Sequence, residues 1–212
     1  MSNRTGLLSL LTRRLQDVDA HLDADAHSDA LDAALAEYSR RRIRRGLHDL
    51  TGDGTTVVFA LPSDWDEAES QVLGIESPVG EAPPCFLDTS LHTLVWQPAL
   101  STPPDIEQVL HVASAPTSGI VYRLWYTRLH VAQSGYTSVP PADHHAVATL
   151  GAALALDWLA TNRVSQGASS IGADTSDHTA RQERYRTAAA AMRAEYDRAV
   201  PMRTPRRYTV VR

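Results

Sequence analysis

Between Leu47 and Tyr136 the chain breaks into short β-like runs, while apolar stripes at helical spacing lie on both sides of that stretch. Prolines at positions 78, 83, 84, 98, 103, 104 and 116 mark its gaps. Proline has no amide to give to a central ladder, so the gaps are fixed and the runs between them are the strands. Six runs qualify: "LHDLT", "TTVVFALP", "SQVLGIES", "LHTLVWQP", "QVLHVAS" and "GIVYRLWYTRLHV". In the last, Ile120, Tyr122, Leu124 and Tyr126 alternate with Val121, Arg123, Trp125 and Thr127, the period-two pattern of a strand with distinct faces. Gly52-Asp53-Gly54 predicts a hairpin between the first two runs, because glycine tolerates the positive φ such turns demand. A compact antiparallel β unit is expected.

Outside that stretch the period is helical. Ser28 is the predicted N-cap of a helix over 29–45, with Leu31, Leu35 and Tyr38 on one stripe and Gly46 closing it. Its last turn then carries Arg40, Arg41, Arg42, Arg44 and Arg45, where cations complement the negative helix end. Pro141 opens a helix over 141–162 with the stripe Val147, Leu150, Leu154, Trp158 and Leu159. Its small residues Ala148, Gly151, Ala152, Ala153 and Ala155 admit another helix closely. Ser176 caps a last helix over 176–199, striped by Tyr185, Ala189, Met192 and Tyr196 and ended by Pro201. "TGLLSLLTRRL" reads as a short amphipathic helix that packs on this bundle or on a partner. The predicted fold is therefore α+β: a helical bundle from residues 1–46 and 140–200, an antiparallel β-rich insertion over 47–139, and an extended C-terminal tail, 201–212.

Charge is segregated along the chain. Residues 17–37 hold seven acids and no arginine or lysine, and residues 46–162 hold thirteen acids against Arg123 and Arg128. All the basic residues are arginines, and from Pro201 onward Arg203, Arg206, Arg207 and Arg212 meet no acid. A DNA-binding domain gathers positive charge on its folded face to neutralise phosphates. Here the middle of the chain repels DNA and only two short segments attract it. No run of about 18 apolar residues exists to span a bilayer, and the N-terminus lacks the pattern of a signal peptide, so a cytoplasmic protein without a membrane partner is expected.

Chemistry-bearing clusters are sparse. Asp143, His144 and His145 spell the Asp-His-His of phosphoesterase metal sites, but neighbours on an exposed first helical turn point about 100° apart and do not share an ion readily. "DAHLDADAH", with Asp17, Asp19, His21, Asp23, Asp25 and His27, lacks the glycine turn and bidentate glutamate of a calcium loop and reads as a solvated linker. Asp64, Asp66, Glu67 and Glu69 form a local wet run where a glycosidase pair would face across a cleft. Cys85, the one cysteine, is expected to be a small buried hydrophobe. With no phosphate loop, nucleophile elbow or zincin helix, the expectation is a non-enzyme with no metal and no cofactor. The tail alternates Tyr208, Val210 and Arg212 with Thr209 and Val211. It reads as a frayed end, as a strand or strap for a partner protein, or as a nucleic-acid arm.

The order of four segments, "LAEYSRRRIR", "DLTGDGTTVVFALPSDWDE", "QVLGIESPVGEAPP" and "SSIGADTSDHTARQERYRTAAAAM", resembles the head-to-tail connector (adaptor) proteins of long-tailed double-stranded DNA phages and related prophages. The resemblance runs from about Leu31 to Tyr196. It implies a homo-oligomeric ring of about twelve copies beneath the portal in the virion neck, closed by heterologous contacts and assembled in the host cytoplasm. The implied partners are the portal protein and a downstream neck or tail-completion protein, with DNA passing through the channel without specific binding. Under that resemblance Arg203, Arg206, Arg207, Tyr208, Val210 and Arg212 become candidate portal contacts. The cluster Arg40, Arg41, Arg42, Arg44 and Arg45 becomes a candidate subunit contact against the acidic 17–37 segment of a neighbour. Another neck component (stopper or head completion), a DNA-binding packaging accessory and a metal-dependent hydrolase are the other readings.

Overall fold

Leucines spaced for one helix face and polar side chains that cap helix starts build the first part of the molecule. The computed structural model describes residues 3–16, 22–98, 106–166 and 175–202. Helix α1, Arg4–Arg14, starts where the Asn3 side chain accepts the Gly6 amide at 3.0 Å. Helix α2, Ala24–Arg41, is capped by Asp23, whose carboxylate accepts the Ala26 amide at 2.7 Å. Helices α3, His144–Gln166, and α4, Thr175–Ala199, complete the set. The fold is α+β, with six antiparallel strands between α2 and α3.

Two compact units result: the described residues up to Arg42 and from His130 onward make one, and Ile43–Leu129 the other. In the helical unit α3 packs against each of α1, α2 and α4. Leu7, Leu11, Leu31, Leu35, Tyr38, Val147, Leu150, Ala189 and Tyr196 share its core. Each fully buried leucine contributes roughly 2 kcal/mol of apolar burial. The alanines of α3 serve close approach: at Gly151 a Cβ would lie 2.7 Å from Leu11 Cδ1. Helix α1 therefore belongs to the core of its own unit, which decides between the two packings its sequence allowed.

In the other unit, β1 (Arg44–Thr51), β6 (Val121–Arg128) and β3 (Val72–Glu76) form one sheet in the order β1-β6-β3. Strands β2 (Val58–Ala60), β5 (Ile106–Val112) and β4 (His92–Pro98) form a second in the order β2-β5-β4. Leu50, Ile75, Leu110, Val112, Leu124 and Tyr126, drawn from both sheets, bury in one cluster.

Several sequence expectations change. Helix α2 starts a turn before Ser28, because Asp23 supplies the cap; Ser28 instead receives the Arg4 guanidinium at 2.6 Å. It also ends at Arg41. Arg42 is extended, at φ −115° and ψ 91°, and Arg44 and Arg45 enter the ladder opposite Arg128 and Thr127. The ladder to an eight-residue partner outcompetes one more helical turn. Gly46, expected as a helix stop, is a strand residue opposite Tyr126.

The predicted hairpin is absent: β1 pairs with β6, and β2 with β5. Gly54 does turn at φ +82°. Its loop bonds instead to the 116–120 segment, through Gly52 N–H to the Ile120 carbonyl and Gly119 N–H to the Gly52 carbonyl, both 2.9 Å. A β-carbon at Gly52 would meet the Thr117 carbonyl oxygen at 2.3 Å, so this close approach requires glycine. Ser176 lies inside the first turn of α4, which begins at Thr175. Cys85 is exposed, not buried, because it sits in the loop beyond β3 rather than on an inward strand face. Trp158, on the expected α3 stripe, is 49% exposed.

Candidate assembly surfaces

The arginine run that looks like one patch in sequence divides among different tasks where α2 turns into β1. Arg41 is 17% exposed, pairs with Glu37 and Asp197, and stacks its guanidinium 4.6 Å from the centre of the Tyr196 ring. Arg42 places Nε 3.8 Å from Asp143 Oδ2. Arg44 donates to the Leu129 carbonyl at 3.3 Å. Arg40, at 57% side-chain exposure, sits 3.4 Å from Glu37, and Arg45 is exposed on β1. Arg41 and Arg44 thus work within their own units, and Arg40 and Arg45 offer the most surface. No sequence signal separated them, since the split depends on where the helix stops.

Asp143 is built into the same corner. It accepts the Tyr38 hydroxyl at 2.6 Å. Burial, then the Asp143 bond and charge, raises the Tyr38 hydroxyl well above its ordinary range. His144 is buried, contrary to the exposed first turn expected for it, and its Nε2 lies 3.0 Å from the Val139 carbonyl. His145, the next residue, is exposed and points elsewhere. Among the described residues no cluster of three or more His, Cys, Asp or Glu side chains could hold a metal ion. His130, which the sequence did not single out, sets its ring between the Ser138 and Arg42 carbonyls, 3.1 and 3.0 Å away, and edge-on to Tyr38.

On the β unit Asp64 leaves its predicted wet run and bonds inward. It accepts from the Tyr126 hydroxyl and, at 2.6 Å, from Arg128. Burial pushes the Asp64 carboxyl up, but these hydrogen bonds and the Arg128 charge outweigh it and hold the group below its ordinary value. Burial, then Asp64, pushes Tyr126 up to about 12. A carboxyl lowered by folding stabilises the native state above its unfolded value, about 3.9, and loses that contribution as pH falls through the depressed native value. Asp64→Asn is therefore expected to shrink the fall in melting temperature between pH 6 and pH 3 relative to the wild-type chain, read by circular dichroism. Asp66 binds its own turn, accepting the Ala68 and Glu69 amides at 3.0 and 2.9 Å.

Glu76 was invisible in the sequence and is 3% exposed. Its two oxygens accept the Gly80 amide and the Trp125 indole N–H, each at 2.8 Å. Leu91, Val95, Trp96 and Ile106 remain exposed on or beside β4 and β5, with Ile106 at 69%. Period-two reading placed their strands but not which sheet edge lies open. The candidate portal contacts Arg203, Arg206, Arg207, Tyr208, Val210 and Arg212, and Asp17, Asp19 and His21 of the acidic segment, lie outside the described residues.

Two hollows on the helical unit share Ala33 and Leu154. One, of about 530 Å³, is lined by Glu37, Arg40, Arg41, Arg193, Tyr196 and Asp197 among others. The second, of about 370 Å³, lies between the first half of α2 and α3, with Trp158 in its wall.

No family model matches this chain, and no curated protein matches it. Among solved structures, a chain from "Neck of native GTA particle computed with C12 symmetry" aligns over 87% of this chain and 93% of that one, at 18% identity and a TM-score of 0.26.

Proposed function

We propose that the chain is a structural protein of a phage-like particle, a ring-forming connector in the neck that docks under the portal and joins the DNA-filled head to the tail. The observation that carries this reading is architectural. The helical unit releases its chain at Arg42, regains it at His130, and holds an antiparallel β unit between. Onto that layout the four resembling segments fall in order, at the end of α2, along β1 and β2, on β3, and over α4. Charge supports the same reading, because an acidic middle disfavours adhesion of DNA passing through a lumen. A basic tail suits an acidic partner surface, with arginines steering the encounter.

In this reading a ring of about twelve copies meets through heterologous contacts, and Arg40 and Arg45 reach the acidic start of a neighbour's α2. Arg40→Gln with Arg45→Gln is the substitution that tests that contact, because Arg41→Gln would also remove the Tyr196 stack and two ion pairs. Unchanged ring formation by the double variant counts against the contact.

Gradient sedimentation of a producing-cell lysate tests the function itself. The protein is expected to travel with nuclease-resistant DNA through high salt, as a particle component does. Recovery only in the soluble fraction, beside particles that lack it, overturns the reading. With purified portal, Arg203→Gln, Arg206→Gln, Arg207→Gln and Arg212→Gln together are expected to weaken binding by about tenfold or more, and full retention would sink the tail as the dock. Little DNA affinity at physiological salt is expected, whereas tight binding that falls steeply with salt would favour the packaging-accessory alternative.

A further inference from the structure

The outer strands of the β unit, β1, β3, β2 and β4, do not guard their edges equally. Beyond β3 the 85–87 segment covers the backbone: the Leu87 N–H bonds the Ile75 carbonyl at 2.8 Å and the Ser77 N–H bonds the Cys85 carbonyl at 2.9 Å. Strand β2 is only three residues long. Strand β1 sets the charges of Arg45 and Asp49 on its exposed face. Strand β4 has none of these devices: it runs for seven residues without an acid or an arginine, and its proline, Pro98, comes only at the end. Exposed Leu91, Val95, Trp96 and Ile106 lie on or beside it. A long uncharged edge of this kind templates another strand, which is why most edges carry a guard.

The backbone says which groups that edge offers. The Ala113 N–H bonds the Leu91 carbonyl at 2.8 Å, and antiparallel ladder bonds fall on alternate residues. Thr93, Val95 and Gln97 therefore bond to β5, while His92, Leu94 and Trp96 turn their amides and carbonyls outward. Pro98, with no amide to give, takes an outward position as well. On β1 the Gly52 bond to the Ile120 carbonyl sets the same alternation. Arg45, Leu47, Asp49 and Thr51 turn their backbone groups outward there. Among the described strands β1 pairs with β6 alone and β4 with β5 alone.

We propose that β4 of one copy receives β1 of the next copy, antiparallel, with Leu47 opposite Leu94. That register sets Arg45 on the Trp96 ring and Asp49 beside His92, so apolar meets apolar and no like charges face each other. A parallel pairing would set Arg45 beside His92 instead. Strand β1 paired with its own copy also matches Arg45 to Asp49, but it leaves the unguarded β4 open, whereas the β1-to-β4 contact covers both edges at once. Because the two edges differ, the contact is heterologous and repeats from copy to copy, as a ring requires. Arg45 stacked on an indole still presents its N–H edge to an acid, as Arg41 does over Tyr196 while paired with Glu37 and Asp197. This contact deepens the ring reading and rests on it.

Disulfide trapping between copies of the purified full-length chain tests the contact without any portal present. In a Cys85→Ser background, His48→Cys and Thr93→Cys fall opposite each other at a position without ladder bonds, where Cα atoms lie about 4.5 Å apart and a disulfide fits. A mixture of the two single variants is expected to give a linked dimer on a non-reducing gel about tenfold faster than His48→Cys mixed with Gln97→Cys, which stands about 13 Å farther along β4. Neither single variant alone is expected to cross-link. Trp96→Pro keeps every β4 bond to β5, since the amide it removes faces outward, and is expected to weaken self-association about tenfold while the unassembled chain melts as before. A chain that stays monomeric at about 1 mM, where even a millimolar contact is half filled, overturns the strand pairing. Equal rates for the two mixtures, homodimers from either single variant, or unchanged association of Trp96→Pro also overturn it. Co-migration with DNA-filled particles beside any of these failures leaves the neck reading standing, and soluble recovery beside successful trapping overturns only the neck reading.

Discussion

Gly46→Val is expected to destabilise the β unit by about 3 kcal/mol. Gly46 stands opposite Tyr126 in the ladder, and the Tyr126 ring occupies the space where a side chain would begin. A β-carbon at Gly46 would come 2.3 Å from Tyr126 Cζ and 2.6 and 2.7 Å from its Cε atoms. The ring has nowhere to go. Tyr126 is 2% exposed, its hydroxyl is bound to Asp64, and the Trp65 ring packs 5.8 Å away. Valine, ordinarily a better strand former than glycine, therefore has to displace a locked aromatic or force β1 off β6. The check is chemical denaturation with the Trp65 and Trp125 environments as reporters. A cost below about 1 kcal/mol would mean that the ring has another resting place.

Leu11→Ala is expected to cost the helical unit about 3 kcal/mol, within the range for a leucine deleted from a core that collapses only partly. Leu11 is fully buried, and its Cδ1 fills the notch that Gly151 opens in α3 beside the Ala30 carbonyl. The same contact makes a sharper forecast. Alone, Gly151→Ala gains up to about 1 kcal/mol of helix propensity but presses its methyl against Leu11, so it is expected to be neutral or harmful. Combined with Leu11→Ala the pressure vanishes, and the new methyl enters the vacated space. The double variant should therefore be more stable than the sum of the singles by about 1 kcal/mol or more. Simple additivity in thermal melts would contradict the notch.

Helix stripes were legible because 3.6-residue spacing is a local property: Leu31, Leu35 and Tyr38 are buried as their spacing required. Strand positions were legible for the same reason, since proline is kept out of a ladder's interior; Pro98, read as a gap, instead ends the edge strand β4 opposite Ile106. Pairing was not. The turn at Gly54 is real, yet β1 chose β6 because an eight-residue ladder and the bonds to residues 116–120 outweigh a three-residue β2, and such a comparison is made only once distant segments meet. The arginine run shows the same divide. Composition announced five cations in six positions, but whether each faces solvent, a ring or a carbonyl depends on α2 ending at Arg41. Trp158 keeps the spacing of its stripe, three turns after Val147, yet it borders the hollow at the start of α2; whether a neighbouring helix covers the end of a stripe is decided only in three dimensions. Glu76 carried no signal at all; a buried carboxylate satisfied by an indole and an amide is a tertiary event.

The chain crosses between its units at paired points. His130 holds the Arg42 carbonyl on the helical side, and Arg44 stands opposite Arg128 on the other. Each part thus begins and ends at one place on itself. Because the entropy of closing a loop rises only slowly with its length, a helical scaffold with such a doorway tolerates cargo of almost any size between the same two residues. Lineages can trade, enlarge or shed the inserted part while the host bundle keeps its packing, so the two halves are able to evolve at different speeds.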